Sequence, residues 1–146
     1  MSEEHGLRVS VLVSRRDFTL EIDLDLEPGG RLALVGPSGA GKTTILKAIA
    51  GLVRPDSGSI EVAGQTVFDS DDRIDVPPEE RRCGYVPQDY SLFPNMTVLA
   101  NVGYGIRNVK GKERRSRSVS LLEQLGISGL ADVRPSGLSG GEKQRV

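Results

Sequence analysis

The segment Gly36 to Thr43 constrains the fold of this 146-residue chain more than any other part of the sequence. Its letters, GPSGAGKT, fit the pattern G-x-x-x-x-G-K-[ST], in which glycines let the backbone turn tightly and direct N–H groups at a phosphate. The continuously apolar run Leu32 to Val35 precedes it and is typical of a strand buried on both faces. A helical pattern follows, with apolar residues on one face at Ile45, Leu46, Ile49 and Leu52. The sequence therefore predicts an α/β unit in which a strand leads through a phosphate loop into a helix.

The residue types in this loop indicate nucleotide chemistry. Lys42 supplies a positive charge for the outer phosphates, and the Thr43 hydroxyl is placed to ligate Mg²⁺. We expect the phosphates to contact Gly36, Pro37, Ser38, Gly39, Ala40, Gly41, Lys42, Thr43 and Thr44. The loop alone does not distinguish a GTPase from a kinase or an ATPase. A GTPase would carry D-x-x-G and N-K-x-D, and the sequence contains neither pattern.

Composition excludes several classes of protein. Hydrophobic residues make up 37% and charged residues 27%, which is ordinary for a globular domain and unlike collagen or a disordered chain. The net charge of −1 gives no general attraction to nucleic acid, and the lone Cys83 cannot form an internal disulfide. The uncharged stretch Tyr90 to Ile106 is broken by proline, asparagine and glycine, so we do not expect it to span a membrane.

Periodicity predicts the other elements. Alternating apolar residues predict antiparallel strands at Leu7–Val13 and Phe18–Leu26, and a strand pair at Ser59–Val67 around Ala63-Gly64. The acidic stretch Asp69–Asp75 is expected to be surface loop, and a strand is expected near Cys83–Val86. A helix is predicted from Thr97, and a second one, ending at Gly126, carries Val119, Leu121, Leu122 and Leu125. A basic run is expected to be a solvated helix face and comprises Lys110, Lys112, Arg114, Arg115 and Arg117.

Two further segments carry a family resemblance. The run Tyr85 to Pro94, YVPQDYSLFP, resembles the glutamine loop of ABC transporter ATPases. The run Leu138 to Val146, LSGGEKQRV, resembles their signature motif, with Ser139 in the position of a helix N-cap. The three motifs stand in the family's order, and the resemblance covers essentially the whole chain.

The resemblance implies a fold and its parts. It implies an α/β phosphate-loop NTPase core with an N-terminal antiparallel β subdomain and the start of a helical subdomain, truncated. Residues 1–146 would be part of a nucleotide-binding domain, with the phosphate loop at 36–43, the glutamine loop near 88, the helical subdomain at about 95–138 and the signature at 138–142. The family's Asp-Glu pair, which holds Mg²⁺ and supplies the general base, has no match, and His5 cannot match its switch histidine. We expect an N-terminal fragment of a longer ATPase that is inactive alone.

The resemblance also implies residue roles. Lys42 and Gln88 would act in ATP hydrolysis, and Gln88 would share the Mg²⁺ with Thr43. The signature would contact the ATP of a second subunit in a head-to-tail homodimer, through Leu138, Ser139, Gly140, Gly141 and Glu142.

The adenine partner is less defined. The family stacks adenine on an aromatic residue just before its second strand, and the nearest candidate here is Phe18. Phe18 is in phase with Leu20 and Ile22, so core packing is the favoured interpretation. The guanidinium of Arg15 or Arg16 is the alternative stacking surface.

Finer resemblance points to importers. Four segments look like the corresponding segments of molybdate/tungstate importer ATPases: Asp17–Leu20, Glu80–Arg82, Asp89–Pro94 and Asn101–Val109. Sulfate, iron, polyamine and sugar importers share much of the sequence of these segments. The partners implied are an integral membrane permease and, indirectly, a substrate-binding protein, at the cytoplasmic face of the membrane and without nucleic acid. A permease groove would be formed by Tyr90, Leu92, Phe93 and Pro94, unless these residues are buried in the domain's own core. The alternatives are a nucleotide-binding module without hydrolysis and a soluble ABC protein of DNA repair or translation.

Overall fold

The computed structural model describes residues 6–15 and 18–146. Arg16, one of the adenine candidates, and His5 lie outside the described residues. The chain divides into two compact units, Met1–Tyr85 and Val86–Val146. Among the described residues, no helix has the length and apolar character needed to cross a membrane.

The first unit is built on a sheet of five strands in the order β2-β1-β3-β4-β5. The strands are β1 (Leu7–Arg15), β2 (Phe18–Leu26), β3 (Ser57–Val62), β4 (Gln65–Asp69) and β5 (Ile74–Asp75). Every pairing in it is antiparallel. The two predicted N-terminal strands and the predicted pair around Ala63-Gly64 are confirmed, whereas the acidic stretch is only partly loop because β5 lies within it.

The core of the first unit covers one face of this sheet. The alternation predicted from the sequence buries Val9, Val11 and Val13 on β1, while the residues between them face outward. Helix α1 (Lys42–Ile49) packs Ile45 and Ile49 against this cluster. The sheet and α1 therefore hold the loop that precedes α1.

The C-terminus of α1 is fixed by a Schellman motif and a buried arginine. Gly51, at φ +78°, donates its N–H to Ala48 O (3.1 Å), and Leu52 donates to Lys47 O (2.8 Å). The Arg81 side chain, 1% exposed, donates to Ala48 O (2.9 Å) and Ile49 O (3.2 Å) and pairs with Asp75. A basic group at this end is also favourable for the helix dipole.

Two predicted strands are wrong. Residues 31–37 form no regular secondary structure, no described strand pairs with them, and Leu32 and Val35 are 51% and 94% exposed. Cys83–Val86 is likewise irregular, with Val86 exposed. An apolar strand is stable only when neighbouring strands accept its backbone hydrogen bonds and both faces are covered, and no described element does this here. Leu46 and Leu52 of the predicted apolar helix face are also exposed.

The second unit consists of short helices and 3₁₀ turns. Its helices are α2 (Val98–Tyr104), α3 (Gly111–Gln124) and α4 (Gly140–Arg145), with 3₁₀ turns at Ser128–Leu130 and Pro135–Gly137. The core contains Val98, Leu122, Ile127 and Leu138. The helix starts and stops predicted from the sequence are confirmed.

Local groups explain where these helices begin and end. Thr97 caps α2 by accepting from Ala100 N–H (3.2 Å), and Gly126, at φ +67°, follows α3. The basic run begins at Lys110, the N-cap residue of α3, and continues along the exposed first half of the helix, as predicted for a solvated face.

Candidate functional site

The predicted phosphate loop forms a turn that leads into α1. Gly39 and Gly41 have φ values of +83° and +87°, a region that residues with a Cβ rarely adopt. Ala40 N–H donates to Pro37 O (3.3 Å), and Gly41 is the N-cap of α1. No described side chain caps this N-terminus, so its N–H groups and the positive end of the helix dipole are open to an anion.

The ammonium group of Lys42 lies over the loop. Its Nζ donates to the carbonyl oxygens of Gly36 and Pro37, both at 2.7 Å. A lysine ammonium is a compact charge with three donors, so oxygens of a bound phosphate can replace these carbonyls as its acceptors. The structure thus brings the predicted phosphate-binding lysine to the glycine-rich loop.

Strand β2 reaches the same loop. The side chain of Leu20 lies against Gly41 so closely that a Cβ at position 41 would overlap it. Phe18, two residues earlier on the same face of β2, is 40% exposed and is absent from the core cluster of the unit. The favoured interpretation of Phe18 as a core residue is therefore wrong, because the strand end carries it past the sheet's core. Arg15, the other described candidate, pairs with Phe18 across the hairpin.

The oxygen donors available for Mg²⁺ are hydroxyl and amide groups. Thr43 is exposed in the first turn of α1 in the first unit, and Gln88 is exposed in a turn of the second unit. Among the described residues, no group of three or more His, Cys, Asp or Glu side chains could hold a metal. Neutral oxygen donors suit Mg²⁺ when phosphate oxygens and water complete the coordination, so the Thr43 hydroxyl beside the phosphate loop fits the ion.

The glutamine-loop segment is a strained turn. Tyr90 and Ser91 have φ values of +60° and +46°, and Tyr90 N–H donates to Pro87 O (3.2 Å). Ser91 Oγ donates to the carboxylate of Asp89 (3.0 Å). These bonds shape the turn from within and leave the Gln88 amide exposed.

Of the predicted groove residues, Phe93 and Pro94 are exposed, whereas Leu92 packs partly against the core of the second unit. The ring of Phe93 packs against that of Tyr104, with centroids 4.5 Å apart and the ring planes tilted by 50°. Tyr104 also lines an open cavity of about 640 Å³ between α2 and α3, together with Met96 and Leu99.

Asn101 holds this region together and was not predicted. Its Oδ1 accepts from Phe93 N–H (2.8 Å), and its Nδ2 donates to the carbonyls of Phe93 (3.2 Å), Met96 (3.2 Å) and Thr97 (3.0 Å). An asparagine facing a turn from inside a short helix is the only sequence signal for this role.

The signature residues form the start of α4 as predicted. Ser139 is the N-cap of a capping box, in which its Oγ accepts from Glu142 N–H. The N–H and the hydroxyl of Ser139 donate to Glu142 Oε2 at 2.7 and 2.6 Å. These two hydrogen bonds, that from the Ser139 hydroxyl foremost, lower the pKa of Glu142. Leu138 is buried, while Gly140 and Gly141 are exposed, so the capped turn is anchored on one side and open on the other.

Curated relatives resemble nearly the whole chain. The molybdenum import ATP-binding protein ModC of Paramagnetospirillum magneticum is 48% identical over 130 residues, which are 89% of this chain and 36% of that protein. The molybdate/tungstate import ATP-binding protein WtpC of Archaeoglobus fulgidus is 46% identical over 132 residues, 89% of this chain and 51% of that protein. The chain thus spans about a third to a half of the length of these relatives.

Solved structures share the fold. The ATP-binding cassette MJ0796, in a dimeric post-hydrolysis state bound to ADP and Pi, superposes with a TM-score of 0.75 at 28% identity, covering 95% of this chain and 66% of that one. The cbiO1 protein of Clostridium perfringens, part of the ABC transporter complex cbiONQ, superposes with a TM-score of 0.75 at 27% identity, covering 98% and 59%. The sequence profile of the ABC transporter family matches residues 20–146, and the chain belongs to this family.

Proposed function

We propose that this chain binds ATP as part of the energy-coupling subunit of an ABC importer. The observation that carries the proposal is the position of Lys42 Nζ, which donates to two carbonyls of the phosphate loop at the open N-terminus of α1. Family membership and the resemblance to import ATP-binding proteins support it.

In this proposal the phosphate loop binds the triphosphate of ATP. Backbone N–H groups of the loop and of the first turn of α1 donate to phosphate oxygens, and Lys42 exchanges its carbonyl partners for the outer phosphates. Thr43 and Gln88 offer oxygen atoms to Mg²⁺. Bound Mg²⁺ would neutralise charge on the phosphates.

The signature acts across a dimer in this proposal. A second copy presents Leu138, Ser139, Gly140, Gly141 and Glu142 to the outer phosphate of the ATP held by the first. The capping box supports the role because it fixes the turn that carries the two exposed glycines. Gln88 would orient the attacking water.

The cargo and the partners follow from the relatives. ModC and WtpC are named for import of molybdenum and of molybdate or tungstate, so we propose an oxyanion importer working at the cytoplasmic face of the membrane. Its partners would be a membrane permease and, indirectly, a substrate-binding protein. The exposed Phe93 and Pro94, beside the Phe93–Tyr104 ring pair, offer an apolar surface for a helix of the permease. Phe93→Ala should reduce capture of the permease by the ATPase and leave ATP affinity unchanged.

A second candidate function is nucleotide binding without hydrolysis. The contacts of Lys42 with the phosphate loop favour nucleotide binding and do not by themselves require hydrolysis. The soluble ABC protein of DNA repair or translation receives no such support.

Nucleotide titration beside a phosphate-release assay tests the proposal. We expect saturable Mg-ATP binding that Lys42→Ala weakens at least tenfold, since it removes the positive charge from the loop. Lys47→Ala, in the last turn of the same helix, is the matched control and should bind as the wild type does. Binding accompanied by phosphate release supports the ATPase, and binding without release supports the second candidate. Equal binding by wild type and Lys42→Ala contradicts both.

A further inference from the structure

Strand β1 extends beyond the strand beside it. It pairs with β3 only as far as Leu12, which lies opposite Ser57, and continues to Arg15 beside β2 alone. Asp56, the residue before β3, makes two hydrogen bonds to β1 where the pairing of β1 with β3 ends. Its N–H donates to Leu12 O (2.9 Å), and its carboxylate accepts from Ser14 N–H (2.5 Å). A side chain thus takes the place of strand backbone at the end of β1.

The Asp56 carboxylate is a strong acceptor for the Ser14 N–H group. Its pKa is lowered, first by the hydrogen bond from the Ser14 backbone, then by one from the Ser14 side chain and by the charge of Arg15. Asp56 therefore remains ionised at neutral pH and makes a charge-assisted bond. The neighbouring Pro55 is buried and restrains the backbone on which Asp56 stands.

The strand end held by Asp56 carries an exposed aromatic ring. Arg15 lies opposite Phe18, and Phe18 is 40% exposed. Leu20, on the same face of β2, contacts Gly41 of the phosphate loop. Two residues along a strand span about 7 Å, so the ring of Phe18 lies within the length of a nucleotide whose phosphates occupy the loop.

We propose that Asp56 is a positioning residue, which holds the end of the β1–β2 hairpin so that Phe18 stacks on the adenine base of ATP. This inference rests on the proposed function, because it assumes that the phosphate loop binds ATP. Asp56 touches no part of the nucleotide in this arrangement. It acts by keeping the ring in place before the base arrives, which reduces the ordering cost of binding.

Two ligands separate this role from a general structural one. ATP carries the base, whereas inorganic tripolyphosphate presents only the phosphates. Asp56→Ala should raise the Kd for Mg-ATP by about fivefold to tenfold and leave the Kd for tripolyphosphate unchanged. Asp56→Asn retains an acceptor for Ser14 N–H without the charge and should show a smaller loss, of about twofold to threefold. Phe18→Ala should reproduce the loss seen in Asp56→Ala, and combining the two should add little.

Asp69→Ala provides the matched control. Asp69 also holds a turn of the first unit through its carboxylate, which accepts from the N–H groups of Asp71 (2.8 Å) and Asp72 (3.0 Å). This variant should leave the ratio of the two Kd values at the wild-type level. If Asp56→Ala fails to fold, the Asp56→Asn ratio decides the question.

The outcomes are distinct. If substitution of Asp56 weakens the binding of ATP and of tripolyphosphate equally, or weakens neither, the positioning role is overturned. ATP binding by the wild type still stands in that case. Wild-type protein that binds tripolyphosphate and ATP equally well overturns the base contact. Wild-type protein that binds neither ligand contradicts the proposed function and this inference with it.

Discussion

The side chain of Leu20 on β2 lies directly against Gly41, the N-cap residue of the phosphate-loop helix, and would have to shift to admit a Cβ atom there. Gly41 also has a φ of +87°. The backbone conformation and the contact with Leu20 thus independently favour glycine at this position. The shape of the loop depends in this way on the strand that packs behind it.

Gly41→Ala should destabilise the first unit and abolish phosphate binding. Backbone strain and overlap with Leu20 together should lower the free energy of unfolding by about 2–4 kcal/mol. Gly39→Ala is the control, since Gly39 has a similar φ of +83° but no atom within 4 Å of the added Cβ. It should cost about 1 kcal/mol. Chemical denaturation measures both, and equal losses would contradict the role of Leu20.

The double variant Leu20→Ala/Gly41→Ala isolates the contact itself. Removing the leucine side chain relieves the overlap, so the double variant should be more stable than the sum of the two single losses predicts. Strictly additive losses would show that Leu20 and Gly41 do not interact.

Arg81→Ala should destabilise the first unit strongly. The buried guanidinium bonds two carbonyls at the end of α1 and the carboxylate of Asp75, and its loss should cost about 3 kcal/mol. Arg54 pairs with the same carboxylate at 3.3 Å but is 71% exposed. Arg54→Ala should therefore cost less than about 0.5 kcal/mol in the same unfolding experiment. Comparable losses in the two variants would contradict this account of Arg81.

Elements of the fold that depend on a few adjacent residues are predictable from the sequence, whereas those that depend on distant residues are not. The alternation of β1 and β2, the Thr97 and Ser139 caps and the glycine stop after α3 were predicted because each depends on a few adjacent residues. The prediction of a buried strand from Leu32 to Val35 is wrong, because the pairing of such a strand depends on strands distant in sequence. The prediction that Phe18 packs in the core is wrong, because alternation shows which face of a strand a residue lies on and does not show where along the strand the core ends.

The contacts that organise the candidate site were also missed. Arg81, Asp56 and Asn101 each bond backbone groups across a turn or from another element. Such bonds appear only once the fold has placed the partners together, since the residue types themselves are common on surfaces.

Asn101→Ala should loosen the segment from Phe93 to Thr97. The amide makes four hydrogen bonds to that segment, and their loss should lower the free energy of unfolding of the second unit by about 1–3 kcal/mol. Amide hydrogen exchange at Phe93 should become faster, because its acceptor is removed. Asn95→Ala, at an exposed position in the same segment, should leave that exchange rate unchanged. Unchanged exchange in Asn101→Ala would contradict the role assigned to its amide.

Glu142 should make the start of α4 sensitive to acid. Its folded-state pKa is lowered by hydrogen bonds from Ser139, so its stabilising contribution is present above the unfolded value of about 4.3 and is lost as the pH falls through the lower folded value. Carbon NMR of the carboxyl group measures this titration directly. Ser139→Ala should move the pKa of Glu142 back toward its ordinary value, whereas Ser136→Ala should not. Titration of Glu142 at its ordinary value in the wild type would contradict the capping box.

The central claim, that the phosphate loop binds ATP, is tested most directly by amide NMR during titration with Mg-ATP. We predict saturable shifts of the amide signals of residues 36–44, which form the loop and the first turn of α1, with a smaller response at Phe18. The signals of α3, whose exposed face is basic, serve as the internal reference and should stay in place. Saturable shifts confined to α3, or no saturable shift in residues 36–44, would contradict the account.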